Sequence, residues 1–291
     1  MIDFYDDVIQ SLLASGWLNR EMKILVVCAA GRDRDVMERA GLRQVVLSNL
    51  FSNPDEEIHR PYPWNPQDVE NMTFRDDEFD FVIAHDGLHH CQSPHRGLLE
   101  MYRVARLGIL VFEPRDSLST RIAGRLNLGQ EYEVAAVVGH AYLSGGFRNT
   151  VIPNFVYRWT ERQVRFAINS NAPWGRHHYR FFHGFSLNWE YHVARLGKVL
   201  GGLLRLPRPF IKLGMRAFPR LGNLFAFAVL KPRLPEELHP WVLQQNGSFT
   251  LNRPWVEQRF GPGPKVVPAK KATNDLGECA FPRVGQAERT G

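Results

Sequence analysis

The stretch Met22–Gly31 reads MKILVVCAAG and decides the fold class of this chain. Its central part, Ile24–Val27, is apolar at every position and rich in β-branched residues, and small residues follow it. A short run that is apolar on both faces is typical of a buried strand in a parallel sheet. The small residues at its end predict a tight turn into the next element.

The neighbouring segments alternate between helical and strand patterns. Residues 3–17 have apolar side chains at helical spacing, and Gly16 is a typical stop. Further helices are predicted over 33–41, 95–106 and 160–170, and further strands over 44–50, 79–84, 107–114, 177–185 and 223–232, with a short strand edge before residue 67. Strands that alternate with helices predict an α/β protein with an open, mostly parallel sheet and helices on both faces.

Composition favours a globular protein, with 44% apolar residues and a net charge of +6. Cys28, Cys91 and Cys279 lie far apart and show no paired spacing, so we expect free thiols and no disulfide framework. The N-terminus is acidic where a signal peptide carries positive charge, and no apolar run reaches about 18–20 residues. We therefore expect a soluble, cytoplasmic protein.

Ligands of an open parallel sheet bind beyond the carboxyl ends of its strands. The predicted strand ends must therefore be considered together. They are CAAGRDRD (residues 28–35), Ser48-Asn49, the segment QDVENMTF (67–74) after the short edge, AHDGLHH (84–90) and EPRDS (113–117). These segments supply the candidate site residues.

In their order, these segments resemble the class I S-adenosylmethionine-dependent methyltransferases, in particular the bacterial type 11-like domain family. That family's aspartate-alanine-glutamate-x-leucine-proline-phenylalanine pattern corresponds to residues 68–74, its FDxVI pattern to 79–83 and its LHH pattern to 88–90. The resemblance covers residues 23–117. It implies a Rossmann-like, doubly wound, mostly parallel sheet of seven strands, and S-adenosylmethionine as the cofactor.

The resemblance implies a role for the turn after the first strand, which should approach the methionine part of the cofactor. Where the family prefers glycines, this turn reads Cys28, Ala29, Ala30 and Gly31. Alanine does not readily adopt the positive φ angles open to glycine, so we expect an altered loop geometry. Asn49 stands where the family usually has an acid that binds both ribose hydroxyls, and its amide lacks the charge of a carboxylate.

The resemblance also assigns residues to the adenine and methionine ends of the cofactor. Asp68 is placed to accept a hydrogen bond from the adenine amino group, and Val69 to offer its backbone N–H. His85 and Asp86 are expected near the methionine moiety and the methyl acceptor.

The candidate catalytic residues are His89, His90 and Glu113. One histidine would act as a general base on the acceptor, because the ordinary histidine pKa lies near neutrality; alternatively, the pair only orders the loop after its strand. Glu113 would either face the acceptor pocket or close the sheet edge. No Asp, Glu or His grouping has recognisable metal-ligand spacing, so no metal is expected.

We expect an N-terminal helix over 1–20, a methyltransferase domain over 21–232, and a C-terminal extension over 233–291 that is disordered from about residue 262. A long segment, 188–222, separates the last two predicted strands and is rich in Leu, Arg, Gly and Pro. We expect a helical insertion that serves as a lid. The alternative is peripheral contact with the inner face of a membrane through 196–218.

The leading hypothesis is a methyltransferase that acts on a small molecule, a glycan or a lipid precursor. A catalytically degenerate binding protein is an alternative, because residues 29, 30 and 49 depart from the family pattern. A nucleic-acid methyltransferase is suggested only by the pI of about 9.4, and the spread of the basic residues argues against a nucleic-acid partner. The turn CAAGRD lacks the G-x-G-x-x-G pattern of a dinucleotide site.

Overall fold

The apolar run at the start of the domain forms strand β1, Ile24–Val27, and all of its residues are buried. It belongs to a computed structural model that describes residues 3–52, 55–126, 129–186, 214, 217–245 and 247–263. The described residues fall into two compact units. The first is drawn from Met1–Asn171 and Tyr179–Leu230, and the second from Ala172–His178 and Lys231–Gly291.

Up to residue 114, helices and strands alternate along the chain as the sequence predicts. The helices are α1 (Phe4–Ala14), α2 (Gly31–Arg39), α3 (Glu56–His59), α4 (Pro94–Val104), α5 (Leu118–Arg125), α6 (Val134–Gly139), α7 (Glu161–Asn171) and α8 (Arg253–Phe260). The strands after β1 are β2 (Val45–Leu47), β3 (Phe79–His85), β4 (Ala105–Pro114), β5 (His178–Gly184), β6 (Leu224–Leu230), β7 (Val242–Gln245) and β8 (Ser248–Leu251). In the second unit, β7 and β8 form an antiparallel pair.

The main sheet has the strand order β2-β1-β3-β4-β6-β5. Strand β1 is parallel to β2 and β3, β3 is parallel to β4, and β4 is antiparallel to β6. The mostly parallel α/β architecture is therefore confirmed. Because the order reverses at β1, the carboxyl ends of β1 and β3 form the switch point where ligands bind in such sheets.

Helix α1 covers one face of this sheet. Its buried residues Tyr5, Val8, Ile9 and Leu12 recur at helical spacing, and they join the main apolar core. Gly16 follows with a φ of +73°, a conformation that suits glycine at the end of a helix. The stop predicted at this position is confirmed.

The sheet of the described residues has six strands, not the seven that the sequence predicted. At the position of the short third edge, Leu47 and Trp64 form only an isolated parallel bridge. The segment around it, PYPWNP, carries prolines at 61, 63 and 66. Since Pro63 has no backbone N–H, it cannot donate to the neighbouring strand, and the edge stays short.

Several expectations for the C-terminal half fall on residues outside the described part. Residues 187–213 and 215–216 include most of the predicted insertion over 188–222 and of the membrane-contact segment 196–218. The tail from 264 likewise lies outside the described part. Within the part that is described, no helix combines the length and the apolar character needed to span a membrane.

Gly108 on β4 provides a test of the sheet register. A Cβ at this position would lie 2.6 Å from the backbone oxygen of Val229 and 2.9 Å from the Phe81 ring. We expect Gly108→Ala to lower the free energy of unfolding by about 1–3 kcal/mol, because overpacking forces the neighbours apart. Urea unfolding measures this change.

Gly124 in helix α5 is the matched control for this substitution. No other atom lies within 4 Å of a Cβ built there. Since alanine is a better helix former, Gly124→Ala should keep the stability or raise it by about 0.5–1 kcal/mol. Equal effects of the two substitutions would contradict the close β4–β6 packing.

Candidate active site

A cavity of about 320 Å³ lies at the carboxyl ends of β1, β2 and β3. Its wall contains six residues predicted for the site, namely Cys28, Asn49, Asp68, Val69, Asp86 and His90. Residues that the sequence did not assign to the site complete the wall, among them Glu70, Gly87, Cys91, Glu133, His140, Gly146 and Arg148. The fold therefore brings the ends of three strands and a later segment of the chain together around one space.

Four predicted cofactor residues, Ala29, Ala30, Gly31 and His85, are absent from this wall. Ala29 is fully buried. Ala30 caps helix α2, and its N–H donates to the Asp33 carboxylate at 2.8 Å. The turn therefore supports the site from behind, and a direct contact of these residues with a cofactor stays a prediction.

The unusual backbone conformation in the first turn falls on Cys28 and not on the alanines. Cys28 has a φ of +55°, whereas neither alanine adopts a positive φ. The close approach is made by Gly87 after β3, where an added Cβ would lie 2.3 Å from the Cβ of Cys28. The glycine that this close packing requires therefore follows β3, whereas the sequence suggested the turn after β1.

The side chain of Asn49 connects the ends of β1 and β2. Its Nδ2 donates to the Ala29 carbonyl at 3.0 Å, and its Oδ1 accepts from the Leu50 N–H at 2.8 Å. Each of these polar atoms can still make one further hydrogen bond. Binding of the ribose hydroxyls by Asn49 stays a prediction.

Asp68 is held by an arginine from a distant part of the chain. Arg148 lies in a 3-10 turn, Phe147–Asn149, and pairs with Asp68 at 2.8 Å and with Glu70 at 3.1 Å. The N–H of Glu70 donates to the other oxygen of Asp68 at 2.9 Å. An adenine amino group would have to share Asp68 with Arg148, which sequence reasoning missed because eighty residues separate the two.

His85 does not line the cavity. Its ring stacks on Tyr5 of α1 with a centroid distance of 4.3 Å, and it also contacts Phe112. Burial, followed by the positive charge of Arg32, lowers the pKa of His85 to about 3. A neutral, stacked ring anchors helix α1, and a position of His85 near the methionine moiety and the methyl acceptor stays a prediction.

Glu113 is buried behind the cavity wall. Its Oε1 accepts from the Gly87 and Leu88 N–H groups at 3.1 and 2.7 Å, and its Oε2 accepts from His89 Nδ1 at 2.7 Å. The side chain is fully occupied by the loop that follows β3. Glu113 is thus a positioning residue that does not line the cavity, and a catalytic role for it stays a prediction.

His89 and His90 converge on Glu133, which precedes α6. The Glu133 Oε2 atom lies 3.2 Å from His89 Nε2 and 3.4 Å from His90 Nε2. His90 Nδ1 lies 3.2 Å from the Gly146 carbonyl. His90 and Glu133 line the cavity, whereas His89 lies behind them.

The charges within this group differ. Burial disfavours the charged form of His89, but Glu113 and Glu133 together raise the pKa of His89 well above its ordinary value. Burial and the charge of His89 lower the pKa of His90. Burial alone would raise the pKa of Glu133, but its hydrogen bond to His89 and the charges of both histidines lower it to about 2. A charged His89 has no lone pair to accept a proton, so it cannot serve as the predicted general base in this state.

Cys91 is not an activated nucleophile. Its thiol donates to the Gly87 carbonyl at 3.9 Å, and the neighbouring Cys28 thiol, followed by burial, raises the pKa of Cys91. Both cysteines are free and line the cavity. A raised pKa keeps the thiol protonated and unreactive.

Residues 25–112 match the family model described as a methyltransferase domain. This segment of the chain is similar to methyltransferase domains. The matched residues include the ends of β1, β2 and β3, which form one side of the cavity. The segment with Glu133 and Arg148 lies beyond the match.

The chain is similar in structure to several solved proteins of low sequence identity. Magnesium protoporphyrin IX methyltransferase from Synechocystis, solved with S-adenosylhomocysteine, shares 11% identity over 79% of this chain and 89% of its own, with a TM-score of 0.46. The YcgJ protein of Bacillus subtilis shares 11% identity over 78% and 99%, with a TM-score of 0.48. A possible histamine N-methyltransferase from Thermotoga maritima shares 13% identity over 78% and 89%, with a TM-score of 0.45. Comparison with curated protein sequences finds no match.

The positioning role of Glu113 can be measured by stability. Glu113→Ala leaves two buried N–H groups and a buried charged histidine without their acceptor, so the free energy of unfolding should fall by about 3–5 kcal/mol. Glu133 binds the same histidine from a partly exposed position. Glu133→Ala should therefore cost about 1 kcal/mol or less. Equal losses in urea unfolding would contradict the assignment of Glu113 as the anchor of the loop.

Proposed function

We propose that the cavity binds S-adenosylmethionine and that the protein methylates a small molecule, a glycan or a lipid precursor. The adenosine would lie towards Asn49 and Asp68, and the methionine part towards Cys28 and Asp86. The observation that carries this proposal is the convergence of these four residues on one cavity, although they follow three different strands. All four belong to the segment that matches the methyltransferase domain.

The charge of the cavity suits this cofactor. Its wall contains the carboxylates Asp68, Glu70, Asp86 and Glu133, and Arg148 offsets part of their charge. S-adenosylmethionine carries a positively charged sulfonium, and a wall of the opposite sign favours such a ligand. The product has lost this charge, so the same wall favours the release of S-adenosylhomocysteine.

The acceptor would be selected by the wall that lies outside the matched segment. His140, Gly146 and Arg148 belong to this wall, and His90 faces them from the end of the β3 loop. Of the two histidines predicted for catalysis, only His90 is exposed to the cavity. Methyl transfer from a sulfonium depends strongly on how well the acceptor atom is aligned with the methyl group, and this wall would supply that alignment.

Cofactor binding is the direct test of the proposal. We expect S-adenosylmethionine to bind the purified protein in calorimetry and to raise its melting temperature, because a ligand at 100 times its Kd stabilises the folded state by about 2.7 kcal/mol. Asp68→Ala should weaken binding by about 1–3 kcal/mol, since it removes a charged hydrogen-bond acceptor. Asp116, which pairs with Arg121 and does not line the cavity, provides the control Asp116→Ala.

Methyl transfer itself can be followed with a labelled methyl group and an extract of small molecules. We expect labelled products with the wild-type protein and fewer with Asp68→Ala at limiting cofactor. Absence of S-adenosylmethionine binding would refute the proposed function. Binding without any transfer would favour the degenerate alternative.

The position of Asp86 predicts that cofactor affinity depends on pH. Although its side chain opens to the cavity, loss of hydration and then the charge of Glu113 raise the pKa of Asp86 to about 7. The carboxylate is therefore charged at pH 8 and protonated at pH 6. Affinity for the cationic cofactor should fall on acidification, by up to about tenfold over this range if only the charged form binds.

Two substitutions distinguish the contribution of Asp86 to the pH dependence from that of other groups. Glu133 and His85 titrate near 2 and 3, so neither changes its charge between pH 6 and 8. Asp86→Asn should bind the cofactor weakly at both values, with the pH dependence removed. Asp116→Asn should retain the dependence. A pH profile that survives in Asp86→Asn would contradict the role of this carboxylate.

A further inference from the structure

We propose that His89, His90 and Glu133 form a binding site for a divalent first-row transition-metal ion at the wall of the cavity. The three potential ligand atoms lie within 4.8 Å of one another. Two of the three residues line the cavity. The sequence spacing did not indicate this group as a metal site, because Glu133 lies 44 residues after His89.

The spacing of the ligand atoms suits an ion of this class. Such ions bind imidazole nitrogen and carboxylate oxygen at about 2.0–2.2 Å, which separates neighbouring ligand atoms by about 3.0–3.5 Å. The Glu133 Oε2 atom lies 3.2 Å from His89 Nε2 and 3.4 Å from His90 Nε2. Both separations already fall within the range that an ion requires.

Each of the three side chains is oriented by a further partner. His89 Nδ1 lies 2.7 Å from the buried carboxylate of Glu113, and His90 Nδ1 lies 3.2 Å from the Gly146 carbonyl. The amide of Asn154, itself buried, donates to Glu133 Oε2 at 3.2 Å. Metal-binding histidines usually donate their other N–H to a carboxylate or a carbonyl, which fixes the ring and exposes the ligating nitrogen.

The hydrogen-bond partners also determine where the lone pairs lie. A backbone carbonyl has no proton to give, so His90 Nδ1 carries the proton, and the Nε2 atom of neutral His90 presents a lone pair to Glu133. The same reasoning from Glu113 gives neutral His89 a lone pair at Nε2. Glu133 contacts both histidines. A proton on His89 Nε2 satisfies its own contact with Glu133, but His90 Nε2 and Glu133 still face each other as two acceptors. A metal ion would satisfy all three atoms at once.

The ligand set also indicates which ions fit. Two imidazoles and one carboxylate favour zinc, iron, cobalt or nickel over magnesium and calcium, which prefer all-oxygen sites. Three protein ligands leave at least one coordination position free, as in catalytic metal sites. Because His90 and Glu133 line the cavity, the free position would be reached from it.

The use of the ion rests on the proposed function and deepens it. An ion at this wall would lower the pKa of a hydroxyl on the methyl acceptor. The hydroxyl proton would pass to water, the oxygen would form a bond to the methyl carbon, and the carbon–sulfur bond would break with its electron pair on sulfur. His90 would then be a ligand and not a base, and the acceptor would be a hydroxyl compound.

The ion site is tested first by metal binding, without reference to activity. The full-length protein, prepared without a histidine tag and stripped with a chelator, is titrated with Zn²⁺ or Mg²⁺ in a calorimeter and with Co²⁺ in a visible spectrometer. We expect one equivalent of Zn²⁺ and of Co²⁺, with a cobalt absorption spectrum typical of nitrogen ligands. Mg²⁺ should bind at least about tenfold more weakly than Zn²⁺.

Variants connect this binding to the three side chains. His90→Gln and Glu133→Gln should lose the stoichiometric ion, while His140→Gln should retain it, because His140 lines the same cavity but bonds to the Ala136 carbonyl. Glu113→Gln should lower the affinity roughly 10–100-fold, because the amide has only one accepting oxygen for the Gly87 and Leu88 N–H groups and His89 Nδ1 together. Circular dichroism confirms that each variant is folded.

The outcomes separate this proposal from the proposed function. No bound equivalent in the wild-type protein, or equal binding by wild type and by His90→Gln and Glu133→Gln, would overturn the ion site and leave the group as a charged histidine held by two carboxylates. S-adenosylmethionine binding by the metal-free protein is measured in parallel. If the cofactor binds and no metal does, only the ion site fails; if the metal binds and the cofactor does not, only the proposed function fails.

Discussion

The buried carboxylate of Glu113 holds the site together. It ends β4, yet its two oxygens are used by the loop that follows the neighbouring strand β3, through two N–H groups and the ring of His89. This loop carries Gly87, which packs against the turn after β1, and His90, which faces the cavity. One side chain thus fixes the ends of three adjacent strands relative to one another. A buried carboxylate with three donors is stable only while all of them stay in place, which makes the loop rigid.

Two parts of the chain form the cavity, one within the matched segment and one outside it. The strand ends within residues 25–112 form the part that matches the methyltransferase domain and would bind the cofactor. The segment that carries Glu133 and Arg148 lies beyond the match and completes the wall. Charged contacts join the two parts, from Arg148 to Asp68 and Glu70 and from Glu133 to the histidines. The acceptor would therefore meet residues that the shared domain does not specify.

Local patterns predicted the elements because they depend on neighbours in the chain. The run Ile24–Val27 became a buried strand, and helix α1 ended just before Gly16. The prediction of a third strand edge was wrong, because an apolar pattern does not show which backbone hydrogen bonds are missing. Prolines before and after Trp64 left a single bridge in place of a third strand. The predicted insertion and tail lie mostly outside the described residues and stay predictions.

The sequence by itself determined the parallel sheet and the set of strand ends that meet at its carboxyl edge, since apolar periodicity is encoded locally and parallel strands end at the same edge. It could not assign a direction to each side chain. Only the tertiary structure decided that His85 stacks on Tyr5, that Glu113 faces inward, and that Glu133 comes to the two histidines from 44 residues away. The physical reason is that burial and long-range charge pairing depend on which segments the fold brings together, and no spacing along the chain records that.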